Sequence, residues 1–424
     1  MEKIKYPSKI DVSLFGKGNK KNVALYGLPE KVIYCKKCVI SNQRPGSTIE
    51  FKSTNKEKKK AMNLDDKGVC DACNFASKKK TTDWNERNRE LEELCNKYRK
   101  SDGTYDCIVP GSGGKDSFYA SHILKTKYNM NPLTITWAPT LYTDWGWRNF
   151  QKWIGAGHDN FTLTPNGKVH RLLTRLSVDL LLHPFHTFVL GQKTLAAKMA
   201  LAHNIPMIFY GENEVEYGNA TSTQHKPQVQ NSLFSIKKQS NTEMFFGGVS
   251  VNDLINQFGL TNNDFKPYTP PNVEEFEKKK IEFHYLGYYL KWHPQSCYYY
   301  SVEHGNFEAS PERTSGTYSK YNSIDDKIDD LHYYTTFVKF GIGRATYDVA
   351  QELRNDHLTI EEGKKLIKKY DGEFPDYYFS ELMKYLGIKE NYFFKLCDKF
   401  RSPHLWKKIK KKWRLRHTAN KDGT

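Results

Sequence analysis

The 424-residue sequence contains no long uncharged apolar run, and its mean hydropathy is −0.73. A membrane-spanning helix needs about 20 consecutive apolar residues, so none is expected. Met1-Glu2-Lys3-Ile4-Lys5 leads into no apolar stretch, which leaves no sign of a secretory leader and makes a cytoplasmic protein the expectation. Cysteine is sparse at eight residues, and Cys95, Cys107, Cys297 and Cys397 stand alone in the chain. Acidic charge is in deficit: 65 Lys and Arg face 48 Asp and Glu, for a net charge of +17. Such an excess calls for an anionic partner, whether nucleic acid, a nucleotide or a membrane surface. Residues 406–416 hold seven cations and no anion, with Trp406 and Trp413 among them. Nucleic acid or anionic lipid would suit that run, but a solvated basic tail is its commoner origin.

The other four cysteines come in two pairs, Cys35-Lys36-Lys37-Cys38 and Cys70-Asp71-Ala72-Cys73. Each pair offers two thiolates from one tight knuckle, and two knuckles complete a tetrahedral zinc site with no open position. That makes the metal structural. Disulfides are disfavoured in a reducing compartment, and an iron–sulfur cluster would use the same four ligands. The gap between the pairs is long for a zinc ribbon, so an insertion is expected, centred on the lysine-rich 52–60.

The densest chemical signal is Gly111-Ser112-Gly113-Gly114-Lys115-Asp116-Ser117. It follows the apolar Cys107-Ile108-Val109, which reads as a buried strand, and precedes helical spacing over 118–128. Glycines allow a tight turn and a close approach, and the helix start exposes unpaired N–H groups, so the turn should hold phosphate. The P-loop spacing of kinases and GTPases is absent, because Lys115 is followed by Asp116. A carboxylate beside phosphates implies a bridging Mg²⁺. Further strands are expected at 133–137, 161–164 and 206–210, with a strand-like run at 283–290 and one long helical region at 169–203. A possible strand lies at 23–26. Strands alternating with helices imply a parallel α/β sheet with its ligand at the carboxyl ends of the strands. On that rule Trp137 either borders an adenine or belongs to the core, and Glu212, Glu214 and Glu216 after the fourth strand could hold Mg²⁺ or orient a nucleophile.

The glycine segment resembles the Ser-Gly-Gly-x-Asp-Ser motif of the N-type ATP pyrophosphatases, the PP-loop enzymes with an adenine nucleotide alpha hydrolase-like core. The chain to about residue 390 is further similar to the N-acetyl sugar amidotransferase family. The matching pieces are the cysteine knuckles, the glycine loop, Tyr210-Gly211-Glu212-Asn213 and Tyr285-Leu286-Gly287-Tyr288-Tyr289. They continue with Glu312-Arg313-Thr314 through Tyr318, 325–332 and 339–346. The resemblance implies an ATP-dependent amidotransferase of bacterial surface polysaccharide synthesis. ATP would activate the oxygen of an N-acetyl group on a nucleotide sugar as an O-adenylyl imidate, and ammonia would displace AMP to leave an acetamidine. ATP, Mg²⁺ and Zn²⁺ are the implied cofactors. Gly111, Ser112, Gly113, Gly114, Lys115, Asp116, Ser117, Trp137 and Glu212 would bind nucleotide and metal. Lys115, Asp116, Glu212, Lys339 and Arg344 are candidate catalytic residues, the cations neutralising the departing phosphates. Arg313, Tyr318 and His293 are candidate substrate-binding residues.

An N-terminal cysteine nucleophile would need Cys at position 2, where this sequence has Glu, so none is expected, and no free cysteine sits in a Gly-x-Cys-x-Gly turn. The chain is therefore not expected to hydrolyse glutamine, and the resemblance implies a separate glutaminase related to the histidine-biosynthesis amidotransferase as the ammonia source. The competing reading is a PP-loop enzyme that thiolates or amidates tRNA, but thiolation calls for paired cysteines that the chain lacks, so nucleic acid is the less favoured partner. The expected divisions are 1–82 with a zinc ribbon, a PP-loop core at 83–290, a helical substrate-binding region at 291–390 and a basic tail at 391–424.

Overall fold

The computed structural model describes residues 23–46, 50–54, 56, 58–211, 216 and 243–419. Helices α1 (Asp71–Lys79) and α2 (Trp84–Tyr98) lead into β1 (Cys107–Pro110) and α3 (Lys115–Thr126). Then come β2 (Pro132–Trp137), α4 (Asp144–Gly155), β3 (Asn160–Leu163), α5 (Gly167–Leu181), α6 (His186–His203) and β4 (Met207–Tyr210). The two-residue strands β5 (Phe245–Phe246) and β6 (Val249–Ser250) precede α7 (Val251–Phe258), α8 (Asn262–Phe265), α9 (Val273–Lys279) and β7 (Glu282–Tyr285). The remainder is helical: α10 (Leu286–Tyr289), α11 (Pro294–Gly305), α12 (Ile328–Phe340), α13 (Arg344–Arg354), α14 (Ile360–Tyr370), α15 (Asp376–Leu386) and α16 (Glu390–Phe400). It closes on a hairpin of β8 (Trp406–Ile409) and β9 (Lys412–Leu415).

The five longer strands before α10 form one sheet in the order β3-β2-β1-β4-β7, with every pair parallel. The fold is thus α/β. Strands covered on both faces read as continuous apolar runs, and Cys107, Ile108, Val109, Met207, Ile208 and Phe209 are all buried. One face packs on Leu91, Leu124 and Trp292, the other on Ala196, Ala200 and Phe276. The chain builds outward from β1 to β3, then returns to add β4 and β7 on the other side of β1. The reversal between β1 and β4 opens a crevice at their carboxyl ends, where such sheets take ligands.

Four sequence expectations change. The helical region at 169–203 is two helices, because Leu182 caps α5 in the left-handed conformation (φ 44°) and Pro184 cannot continue the turn. The run at 283–290 is strand only to Tyr285 and then coils as α10. Residues 23–26 form no strand; Tyr26 sits at φ 62° in a turn, with its hydroxyl donating to the Phe400 carbonyl at 2.5 Å. The basic run at 406–416 is not a solvated tail. Trp406 is buried, its indole N–H donates to Val338 O at 2.8 Å, and the hairpin alternates this apolar anchorage with outward-facing lysines. The apolar residues of α12, α15 and α16 enclose Val178 and Leu182 of α5, so the helical region is welded to the sheet's own helices.

Candidate functional site

Residues 111–117 leave β1 at the switch point and curl into the start of α3. Gly111 N donates to Ile135 O at 2.9 Å, tying the turn to β2. A Cβ on Gly111 would lie 2.1 Å from the Cβ of Ser117, so only glycine fits. Gly113 has φ +84° and a Cβ there would lie 2.6 Å from Phe150 Cα, which combines left-handed strain with backbone collision. Gly113→Ala should therefore cost roughly 1–3 kcal/mol. Gly103→Ala should cost less, since Gly103 has a similar φ of +79° but nothing within 4 Å; paired thermal melts would compare them.

The turn faces a cavity of about 440 Å³ lined by residues 110–117, Asn149, Gln192, Tyr210, Gly211, Asp325, Asp329, Tyr333 and Arg344 among others. Asp116 pairs with the buried Lys115 ammonium at 2.5 Å through Oδ2, while its Oδ1 is buried with no hydrogen-bond partner among the described residues. A buried acceptor without a donor is costly, and a cation bridged to phosphate would satisfy it. The donor set and the cramped glycines therefore fit nucleotide phosphates with Mg²⁺.

The far wall comes from the helical region. Tyr142 and Asp326 form a β-bridge, Gly146 of α4 lets the backbone of Asp325 approach, and Asn149 exchanges two hydrogen bonds with the backbone of Glu308. Arg344 opens α13, reaches Asp348 at 3.2 Å and Ser323 Oγ at 3.0 Å, and stacks over Tyr333. Burial, with Asp325 and Asp326 close by, raises the Asp329 carboxyl well above its usual range.

Asp326 accepts from the backbone N–H groups of Thr140, Leu141 and Ile328, and burial pushes its carboxyl up to about 7. A folded pKa above the unfolded value means that its contribution is complete below about 4 and is lost as pH rises through about 7. Asp326→Asn, which does not titrate, should gain stability relative to the wild type between pH 5 and pH 8. The difference should be on the order of a few kcal/mol, read as the difference in melting temperature across that range.

The other candidates scatter. Trp137 is buried beneath the loop, against Tyr268 and a helix face where Gly191 leaves it room, and it borders only a narrow crevice with Gly111 and Ser112. Lys339 does not line the cavity. Its buried ammonium donates to Leu181 O at 2.7 Å, at the carboxyl end of α5, where a cation stabilises the helix dipole. Arg313 forms a two-pronged pair with Glu373 at 2.5 Å, away from the cavity. Tyr318 lines a second cavity of about 610 Å³ that shares Pro294, Tyr321, Asn322 and Gln351 with the first. His293 caps α11 next to Pro294. Glu212 and Glu214 lie outside the described residues; Glu216 is committed to Lys79 at 2.6 Å. Sequence reading does not single out Asn149, Gln192, Asp325 or Asp329 as site residues. For Asp325 and Asp329 the signal is the acidic string at 325–330; Asn149 and Gln192 carry none.

Cys35, Cys38, Cys70 and Cys73 are all buried, with their sulfurs within 4.8 Å of one another. Cys35 and Cys73 are 3.8 Å apart and Cys38 and Cys70 3.5 Å, against roughly 3.8 Å for tetrahedral thiolates on zinc. The backbone N–H groups of Lys37 and Cys70 donate to the Cys35 sulfur. Four such cysteines can hold a metal such as zinc. Their cluster packs on Ile342 and Ala350 of the helical region.

Residues 315–419 match the family model for LPS biosynthesis protein WbpG-like, C-terminal domain. The match supports a lipopolysaccharide-related family and a role in polysaccharide biosynthesis. It runs across residue 390 and takes in the hairpin that sequence reading set apart as a tail. Tyr321, Asp325, Asp329, Tyr333 and Arg344 all belong to the matched segment, so that segment supplies the cavity wall that faces the glycine turn. An uncharacterized protein of Methanocaldococcus jannaschii is 36% identical over 77 residues, 18% of this chain, and the chain covers 27% of that protein's length. No helix among the described residues is long and apolar enough to cross a membrane.

Proposed function

We propose that the chain is a PP-loop amidotransferase that converts an N-acetyl group of a nucleotide sugar into an acetamidino group at the expense of ATP. One observation carries the reading: the glycine turn and Asp116 open into the same cavity as Arg344, Asp329 and Tyr333 of the domain that matches lipopolysaccharide biosynthesis proteins. A site for phosphates and a wall of polysaccharide-synthesis ancestry face each other.

Residues 111–117 would hold the β and γ phosphates by backbone N–H groups and the Ser112 and Ser117 hydroxyls. Mg²⁺, held through Asp116, would supply charge neutralisation for the triphosphate. Lys115 and Arg344 would offset negative charge as the α phosphorus passes to the amide oxygen and pyrophosphate departs. The activated carbon then accepts ammonia, the C–O bond to AMP breaks, and the nitrogen loses a proton. Asp329, whose burial keeps its carboxyl protonated more readily than usual, is placed in the cavity wall to hold that nitrogen or its proton. A metal at the four cysteines would remain structural.

Cysteine chemistry argues against tRNA thiolation. Cys95 and Cys397 are buried and their thiols are pushed up to about 12 by desolvation, the reverse of what a sulfur carrier requires. AMP release measured with UDP- and CMP-linked N-acetyl sugars against tRNA tests the reading, with release expected for a sugar alone. The isolated chain should use ammonium and fail with glutamine; glutamine turnover by the lone chain would remove the need for a partner glutaminase.

A further inference from the structure

A second cluster of metal-ligand type lies apart from the four cysteines: His293, Glu352 and His357, each offering one ligand atom within 4.8 Å of the other two. We infer that these three side chains form a second divalent-metal site of the zinc class, with its open coordination directed to the second cavity. The inference does not depend on the amidotransferase reading.

The placement is local and rigid. Glu352 lies in the last turn of α13, and the chain turns through Asp356 at φ 61°, so that His357 N returns to Glu352 O at 2.9 Å. That turn brings His357 Nδ1 to 3.0 Å from Glu352 Oε2. Two ligands on one tetrahedral zinc lie roughly 3.3 Å apart, given bonds of about 2.0–2.1 Å, so the cation would take the place of the proton between them. His293 arrives from a different element, the start of α11, with its ring centroid 4.3 Å from that of His357. Its Nδ1 lies 3.3 Å from Ser296 N and 3.5 Å from Ser296 Oγ. Nδ1 accepts the Ser296 backbone N–H as the cap of α11, so the cation would take that lone pair in place of the N–H while the proton stays on Nε2.

Two imidazoles and one carboxylate match the ligand set of zinc sites that keep a vacant position for water or substrate. Glu352 and His357 both line the cavity of about 610 Å³. A cation there would take an anionic oxygen from a molecule lying beside Tyr318 and Tyr321. Of the lysines that act on His293, Lys79 is paired with Glu216 and Lys115 with Asp116, while Lys291 is exposed to solvent.

The test uses the full chain dialysed against buffered zinc at micromolar free concentration, with bound zinc counted per chain. Wild type should bind two equivalents, and His357→Ala and Glu352→Gln one each. His357 is 39% exposed in its side chain, so its removal should leave the far-ultraviolet circular dichroism unchanged. Cobalt substitution gives a second readout on the wild type alone: one equivalent with thiolate charge-transfer absorption and one without. A single equivalent in wild type, or two retained in both variants, would overturn the inference.

Discussion

Asp116→Asn should lower nucleotide-sugar-dependent AMP release by roughly 10²- to 10³-fold, the usual cost of removing one group that stabilises developing charge. The substitution keeps the shape of the turn but halves the acceptor capacity of a side chain whose Oδ1 has no hydrogen-bond partner among the described residues and leaves Lys115 without its counter-ion. Stability should also fall, because the buried Lys115 ammonium loses its counter-ion. Pyrophosphate release at saturating ATP would measure the loss, and a thermal melt would separate it from unfolding. Wild-type turnover in the variant would dismiss the phosphate role of the turn.

Cys70→Ser should be the most damaging single change to the fold. A structural zinc site contributes binding energy on the order of 10 kcal/mol, comparable to the whole stability of a domain. The cluster it would organise also covers Ile342 and Ala350, next to Arg344 and the cavity wall. The melting temperature should fall by roughly 10 °C or more, given about 2–4 °C per kcal/mol for a unit of this size, and bound zinc should drop by one equivalent. An unchanged melt with zinc retained would refute the Cys₄ assignment.

Residues close together in sequence were legible because their chemistry is local. The glycine turn needs only six or seven consecutive residues to declare itself, and the apolar runs around it announce strands covered on both faces. Capping was equally plain: Thr359 with Glu362 forms the capping box at the start of α14. Lys339 shows the opposite case. A lysine two residues before a conspicuous Gly-Ile-Gly-Arg run suggests phosphate chemistry, yet which carbonyl its ammonium meets depends on α5, more than 150 residues away. The basic run at 406–416 misled for a related reason, since charge counts cannot register that Trp406 turns inward onto α12.

By itself the sequence determined a parallel α/β sheet, a glycine-rich turn after its first strand and two cysteine pairs that could hold a metal, because each is written in short-range spacing. Only the tertiary structure decided what faces that turn. Asp325, Asp329, Tyr333 and Arg344 reach the cavity through the bridge between Tyr142 and Asp326 and the close approach at Gly146. Such long-range packing depends on shape complementarity between distant segments, which no local pattern of residues encodes.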